Sequence, residues 1–235
     1  MNKTTKTITM IVLGLVIVGL SVWLYLSIMA PVKFDNEFTK RRDACAERLK
    51  LVRTLQETYK QTYGCYTASF DTLINRLTNE DSLKITTKVI NTDKIPAGVN
   101  IADDMTEQEA IKAGYITLNE VYVNPIKNLR ENNKLMTKDE FGRNREITDE
   151  EIQNCRFVPY PTNVEPYEFD LKAGAIQKSG YSVPVFECKV ELKTLLSDMD
   201  YQSVINKIAE LERINRYPGW KVGDMNQAIT DGNFE

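Results

Sequence analysis

The sequence predicts an α+β fold: a single N-terminal transmembrane helix, a long amphipathic helix, then an antiparallel β meander with a C-terminal helix. Three observations carry it. No charged residue lies between Lys6 and Lys33, apolar side chains recur every seventh residue from Phe38 to Tyr59, and short alternating runs with glycine turns fill 155–192.

The first element is the segment 8–30, in which thirteen residues are Ile, Leu or Val. At 1.5 Å per residue it extends about 35 Å, slightly more than the roughly 30 Å hydrocarbon core of a bilayer. The aliphatic side chains favour insertion by roughly 4 to 8 kcal/mol in sum, and Thr9, Ser21, Ser27 and two glycines do not cancel that. A cleaved signal peptide starts the same way but has an apolar core of roughly 7 to 15 residues and small residues before its cut. Here the best cut, after Ala30, has Ile28 at the third position back, so a retained anchor is expected. Lys3 and Lys6 precede the span, and Lys33, Lys40, Arg41 and Arg42 follow it. A long domain translocates largely regardless of its charges, so residues 1–7 are assigned to a short cytoplasmic tail and the rest to the outside.

Pro31 lacks the amide hydrogen needed by the last turn, so a kink or break is expected there, with a new helix following. From Phe34 to Tyr63 that helix carries Phe38, Cys45, Val52 and Tyr59, widened by Leu49, Leu55 and Tyr63. Its membrane-proximal residues Phe34 and Phe38 are candidate subunit contacts, because a helix beside a bilayer has few partners in its own chain. Gly64 is a helix stop. Ser69, with Asp71 behind it, caps a short helix whose face is Phe70, Leu73, Ile74 and Leu77.

In the middle of the chain, 83–90 and 121–126 have strand-like patterns, and Thr106 with Glu109 forms a capping box for a helix ending at Ala113. The polar stretch 128–154 reads mainly as loop. The meander is expected from 155–160, 167–171, 175–178 and 183–192, with turns at Ala173-Gly174 and Ser179-Gly180. The last helix is expected over 201–215, with Val204, Ile205, Ile208 and Leu211 inward and Pro218-Gly219 as a turn beyond it.

Composition narrows the chemistry. The net charge of −3 gives no global attraction to nucleic acid, and the absence of histidine removes the usual general base and the commonest metal ligand. No catalytic, cofactor or metal site is therefore expected. Ser179 and Ser182 near Lys178 suggest at most a solvated turn. Asp103-Asp104, Asp149-Glu150-Glu151 and Asp198 with Asp200 read as surface or helix starts. The cysteines Cys45, Cys65, Cys155 and Cys188 fit either two disulfides or four unpaired core residues, with the pairing open. A helix over 45–63 would separate Cys45 from Cys65 by roughly 27 Å, beyond disulfide reach.

A basic tail, an apolar helix, its amphipathic continuation and then Leu55, Tyr59, Gly64, Tyr66, Leu73 and Leu77 resemble the start of type IV pilins and secretion pseudopilins. The resemblance covers about the first 80 residues. It implies an extracytoplasmic pilin-like α+β domain over 31–235, in a pilus or secretion assembly. The family's peptidase site, a Gly before the apolar run and a Glu shortly inside it, is missing, which implies an unprocessed chain. The ending from Tyr217 to Gly223 also resembles that of uncharacterised single-span bacterial proteins.

The expected function is a noncatalytic structural or interaction protein of the bacterial envelope, held in the cytoplasmic (inner) membrane by 8–30. Its expected partners are other envelope proteins or further copies of itself, and not nucleic acid. The alternative is a tethered binding module for an envelope glycan or peptide, its groove supplied by the meander and covered by 128–154. A carboxylate or Ser-Lys hydrolase comes third.

Overall fold

The structure, a computed structural model, describes residues 3–95, 105–139, 141–162 and 165–234. It is mixed helix and sheet, as the sequence predicts. Helix α1 covers Lys3–Tyr63 and α2 covers Phe70–Asn79. Strand β1 (Leu83–Ile90), helix α3 (Glu107–Lys112) and strand β2 (Ile116–Val123) follow. Next come α4 (Pro125–Glu131), β3 (Met136–Lys138), β4 (Asn144–Glu146) and α5 (Asp149–Gln153). The chain closes with β5 (Asp170–Lys178), β6 (Tyr181–Glu191), α6 (Leu192–Leu195), α7 (Tyr201–Arg213) and β7 (Gly219–Gly223).

Helix α1 is long and apolar enough to cross a membrane, and its apolar side chains from Met10 to Ile28 are exposed. The break expected at Pro31 does not occur, and α1 runs through it. A proline removes one backbone hydrogen bond, at a cost of about 3 kcal/mol, while the turns on either side keep theirs and the later half is held by the core. Phe38, Cys45, Leu49, Val52, Leu55 and Tyr59 are buried along one face of α1, the stripe read from the sequence. Gly64 ends the helix in a left-handed conformation, φ 78°, with its amide bonded to the Lys60 carbonyl.

Helix α2 is capped by Ser69, whose hydroxyl accepts from the Thr72 amide, and it buries Phe70, Leu73, Ile74 and Leu77. Thr106 and Glu109 form the expected capping box of α3, with Ala113 as its C-cap. The middle is more ordered than its polarity suggests. Segment 128–154, read as loop, contains the end of α4, the β3/β4 hairpin and α5. The strand expected over 121–126 instead ends at Val123, because Asn124 caps α4 and Pro125 starts it.

The core sheet has the order β5-β6-β7, antiparallel throughout. Ser179 and Gly180, with φ 52° and 85°, form the tight turn joining β5 to β6. Two meander expectations fail. Ala173-Gly174 is not a turn, since β5 runs straight through it opposite Phe186 and Val185. Segment 155–160 is a short 3-10 turn over 154–156 followed by one β-bridge, Phe157 to Glu168. The third strand is β7, from the stretch read as a turn. A Cβ at Gly219 would run into the Val190 carbonyl oxygen, and one at Gly223 into that of Phe186, so both glycines permit close docking on β6.

Phe186, Cys188 and Val190 point from β6 towards the core that contains the buried face of α1. Four polar ties fix the helix there. Arg41, 6 % exposed, donates to both carboxylate oxygens of Asp198, to the Leu195 carbonyl at 3.1 Å and to Glu37 at 3.0 Å. Arg48 donates to the carbonyls of Asn154 and Phe157. Gln56 is fully buried and its amide grips Thr67 both ways, donating to the carbonyl at 2.7 Å and accepting from the amide at 3.2 Å. Tyr63 donates to Glu80 at 2.6 Å and lies 2.9 Å from the Ser82 hydroxyl.

The Arg41 guanidinium holds the Asp198 carboxyl below its usual range. A depressed carboxylate adds stability above its unfolded pKa, and that stability is lost as pH falls through the folded value. Asp198→Asn is expected to lower the unfolding free energy of the full chain in micelles by about 2 kcal/mol at pH 7, because Arg41 stays buried without its anion. Denaturant titrations should show the gap to wild type closing as pH drops below 3.8, where the wild-type pair is also lost. A gap unchanged down to acid would deny the pair this role.

Candidate functional site

A groove of about 650 Å³ runs beside α1. One wall is α1, through Glu47, Lys50, Leu51 and Thr54; the other is the β3/β4 hairpin with Asn133, Lys134 and Ile147. A smaller hollow continues it past Arg48 to Tyr160 and shares Glu47, Leu51, Thr137 and Ile147 with it.

The hairpin wall is held by local chemistry. Leu135 is buried and its carbonyl accepts from the Ile147 amide at 2.9 Å, which fixes the hairpin base to the core. At the tip, the Asp139 carboxylate accepts from the amides of Phe141 and Arg143 and from the Arg143 side chain. Those bonds, the Arg143 amide first, hold its carboxyl below the usual range. Behind the hairpin, Thr148 and Glu151 form a capping box on α5, and Arg145 grips Glu151 with both terminal nitrogens. The Arg145 bonds, followed by those of Thr148, bring the Glu151 carboxyl down to about 2. The Thr-x-x-Glu signature of this cap was present in the sequence and was the available signal for the helix.

Charge in the groove is one-sided. Lys50, Lys134 and Lys138 line it against the single carboxylate of Glu47, which accepts from the Thr137 hydroxyl at 3.3 Å. Lys50 lies 5.8 Å from the Phe234 ring centre, and neither Lys134 nor Lys138 has an ion-pair partner among the described residues. The chain as a whole carries −3, so this is a locally basic groove on an acidic protein.

The residues singled out in the sequence lie elsewhere. Phe38 is buried against the Trp220 ring, centres 6.1 Å apart, with the Lys207 ammonium over its face at 5.3 Å. Phe34, half-buried, stacks on Phe38 at 6.2 Å. Both are therefore engaged within their own domain. Ser179, Ser182 and Lys178 are exposed at the β5/β6 turn. Asp149 pairs with Arg130, Asp198 with Arg41, and Asp200 caps α7 through the Ser203 amide. Asp103-Asp104 falls outside the described residues. Among the described residues, no group of His, Cys, Asp or Glu is placed to hold a metal ion.

All four cysteines are free thiols here. Cys45 and Cys65 stand at opposite ends of the helical stretch that keeps them apart. Cys65 is exposed; Cys45, Cys155 and Cys188 are fully buried in the same core. Burial pushes the thiols of Cys45 and Cys155 up to about 12 and raises that of Cys188 well above its ordinary value, which leaves them protonated and inert.

Compared with protein-family models, curated proteins and solved structures, the chain matches none.

Maleimide is expected to modify the native full chain only at Cys65, and all four cysteines once denaturant is added. A denatured count below four without reductant, rising on reduction, would instead reveal a bridge.

Proposed function

We propose that this protein is a membrane-anchored, noncatalytic interaction protein of a bacterial cell envelope. Residues 8–30 span the cytoplasmic membrane, and the folded domain lies outside it. One observation carries the reading: an uncharged apolar helix stands fully exposed and continues, without a joint, as the central element of a folded core. A water-soluble protein does not leave such a surface bare, since lipid is the solvent that suits it. Of the carboxylates weighed for catalysis, Asp149, Glu151, Asp198 and Asp200 are taken up by caps and ion pairs, which supports a noncatalytic role. Resemblance of the first 80 residues to pilins and pseudopilins supports placement in a pilus-like or secretion assembly.

Two measurements on cells making the full chain test this. Alkaline carbonate should leave the chain in the membrane pellet, and protease added to spheroplasts should trim the domain. Crosslinking in the same cells should shift the chain above its 26.9 kDa monomer mass. Release by carbonate, protection from external protease, or monomer alone would each overturn the reading.

The basic groove favours a second reading, a tethered binding module for an acidic peptide. Its walls differ from the expectation: α1 and the hairpin of 128–154 form it, and the meander does not. The full chain in micelles should bind a short Glu-rich peptide saturably, and K134E with K138E should weaken that binding about tenfold or more. Binding that fails to saturate, or is unmoved by the charge reversals, would remove this reading.

A further inference from the structure

Among the described residues, most of the β1/β2 ribbon is uncovered. It consists of eight antiparallel residue pairs, Leu83 with Val123 through Ile90 with Ile116, and no third strand joins it among the described residues. Every residue of β1 beyond Ile85 is exposed, as is β2 from Thr117 to Tyr122, so both faces meet solvent. Ile90 is 56 % exposed and Tyr122 60 %, with Val89, Leu118 and Val121 also open. A two-stranded ribbon is at best marginally stable alone in water, and its outer edges present unpaired N–H and C=O groups to any further strand.

We propose that β1 pairs antiparallel with β1 of a second copy of this chain, about a two-fold axis through Thr87, to form a four-stranded sheet. This rests on the membrane-anchored reading above. The pattern of side chains favours β1 and a register centred on the strand, because it opposes no like charges there. Residues facing each other across such an axis sit at equal distances from it in sequence, on the same face of the sheet. About Thr87, Ile85 meets Val89 of the second copy, twice over, Lys84 meets Ile90, and no lysine meets a lysine. Moving the axis to Thr86 sets Lys84 against Lys88, and moving it to Lys88 sets that residue against itself; both oppose like charges. For β2, an axis through Glu120 pairs two carboxylates, and one through Asn119 sets Leu118 against Glu120. Helix α3 packs beside β2, with Ala110 fully buried, and reaches β1 through the 2.6 Å ion pair of Glu107 with Lys88, so β1 is the less covered of the two edges.

The anchor brings the two edges together. Tyr63, at the end of α1, bonds to Glu80 and Ser82 immediately before β1. The ribbon root is thereby tied to the helix about 50 Å of helical rise beyond Ala30. Because α1 is continuous, two copies in one bilayer carry their ribbons at the same height, and confinement to a plane raises the effective concentration of one edge near the other.

Cysteine crosslinking of the full chain in its membrane tests the pairing. In a C65S background, T87C places two sulfurs on the axis, where antiparallel neighbours have Cα atoms about 4.5 to 5.5 Å apart, within disulfide reach. K178C, at the exposed tip of the β5/β6 hairpin, reports random collision. Under mild copper-phenanthroline oxidation, T87C is expected to form disulfide dimers about tenfold faster than K178C or more. Equal rates, no T87C dimer, or dimers formed only when T87C chains are mixed with N119C chains would overturn the two-fold pairing. Carbonate washing of the same membranes separates the claims: chains that stay in the pellet without crosslinking refute the pairing alone, and chains that wash out refute the anchor.

Discussion

The structure depends on one helix having two solvents. From Met10 to Ile28, α1 exposes aliphatic side chains all round, and from Phe38 to Tyr59 it turns one apolar face into a protein core. A joint between the two regimes would let the domain swing freely at the membrane surface, and Pro31 is where such a joint is expected. The helix instead continues, so the apolar segment and the core-packed segment belong to one helix. The last residues before the core, Phe34 and Phe38, stack on each other about 6 to 12 Å beyond Ala30 by helical rise. On the membrane-anchored proposal, the domain would begin almost at the headgroup layer.

Around that helix the rest of the chain is arranged as successive collars. Arg41 gathers the segment after α6, Arg48 gathers the turn at 154–157, Gln56 holds the loop before α2, and Tyr63 holds the entry to β1. Each tie is a buried or half-buried polar group on α1 with its partner far along the chain or across a loop. Hydrophobic contact supplies most of the adhesion, and these directional bonds fix the rotation and height at which each collar sits. On the membrane-anchored proposal, such an arrangement would present surfaces at set distances from the bilayer.

Two surfaces are presented that the core does not use: the basic groove beside α1 and the bare β1/β2 ribbon. They differ in physical character. The groove is concave and lined by lysines beside Leu51, Met136 and Ile147, and its hairpin is held at base, tip and back by Leu135, Asp139 and the Thr148–Glu151 cap. The ribbon is extended and rich in β-branched residues; Leu83, Ile85, Val89, Val121 and Val123 share one face, and Lys84, Lys88 and Glu120 lie on the other. A groove of that kind recognises a ligand by charge, while the ribbon edge recognises another strand by backbone hydrogen bonds.

The sequence by itself determined everything that depends on neighbours within a few residues. These are the long apolar N-terminal helix, the seven-residue stripe of α1, the stop at Gly64, the caps of α2 and α3, the turn at Ser179-Gly180 and the helix beginning after Asp200. Each is a local balance of hydrophobic period, capping and backbone freedom, so the letters suffice. The groove was less legible, because its walls come from residues some ninety positions apart, as the Glu47 to Thr137 contact shows. Tertiary structure alone decided that Pro31 would be carried through, that the segment after Pro218 would become the third strand of the sheet, and that Gly174 would lie within a strand. In all three, the deciding partner is distant: the core grips α1 beyond Pro31, and β6 supplies hydrogen bonds to β5 and β7 alike. Turn residues record only a local preference, and a strand waiting beside them overrides it.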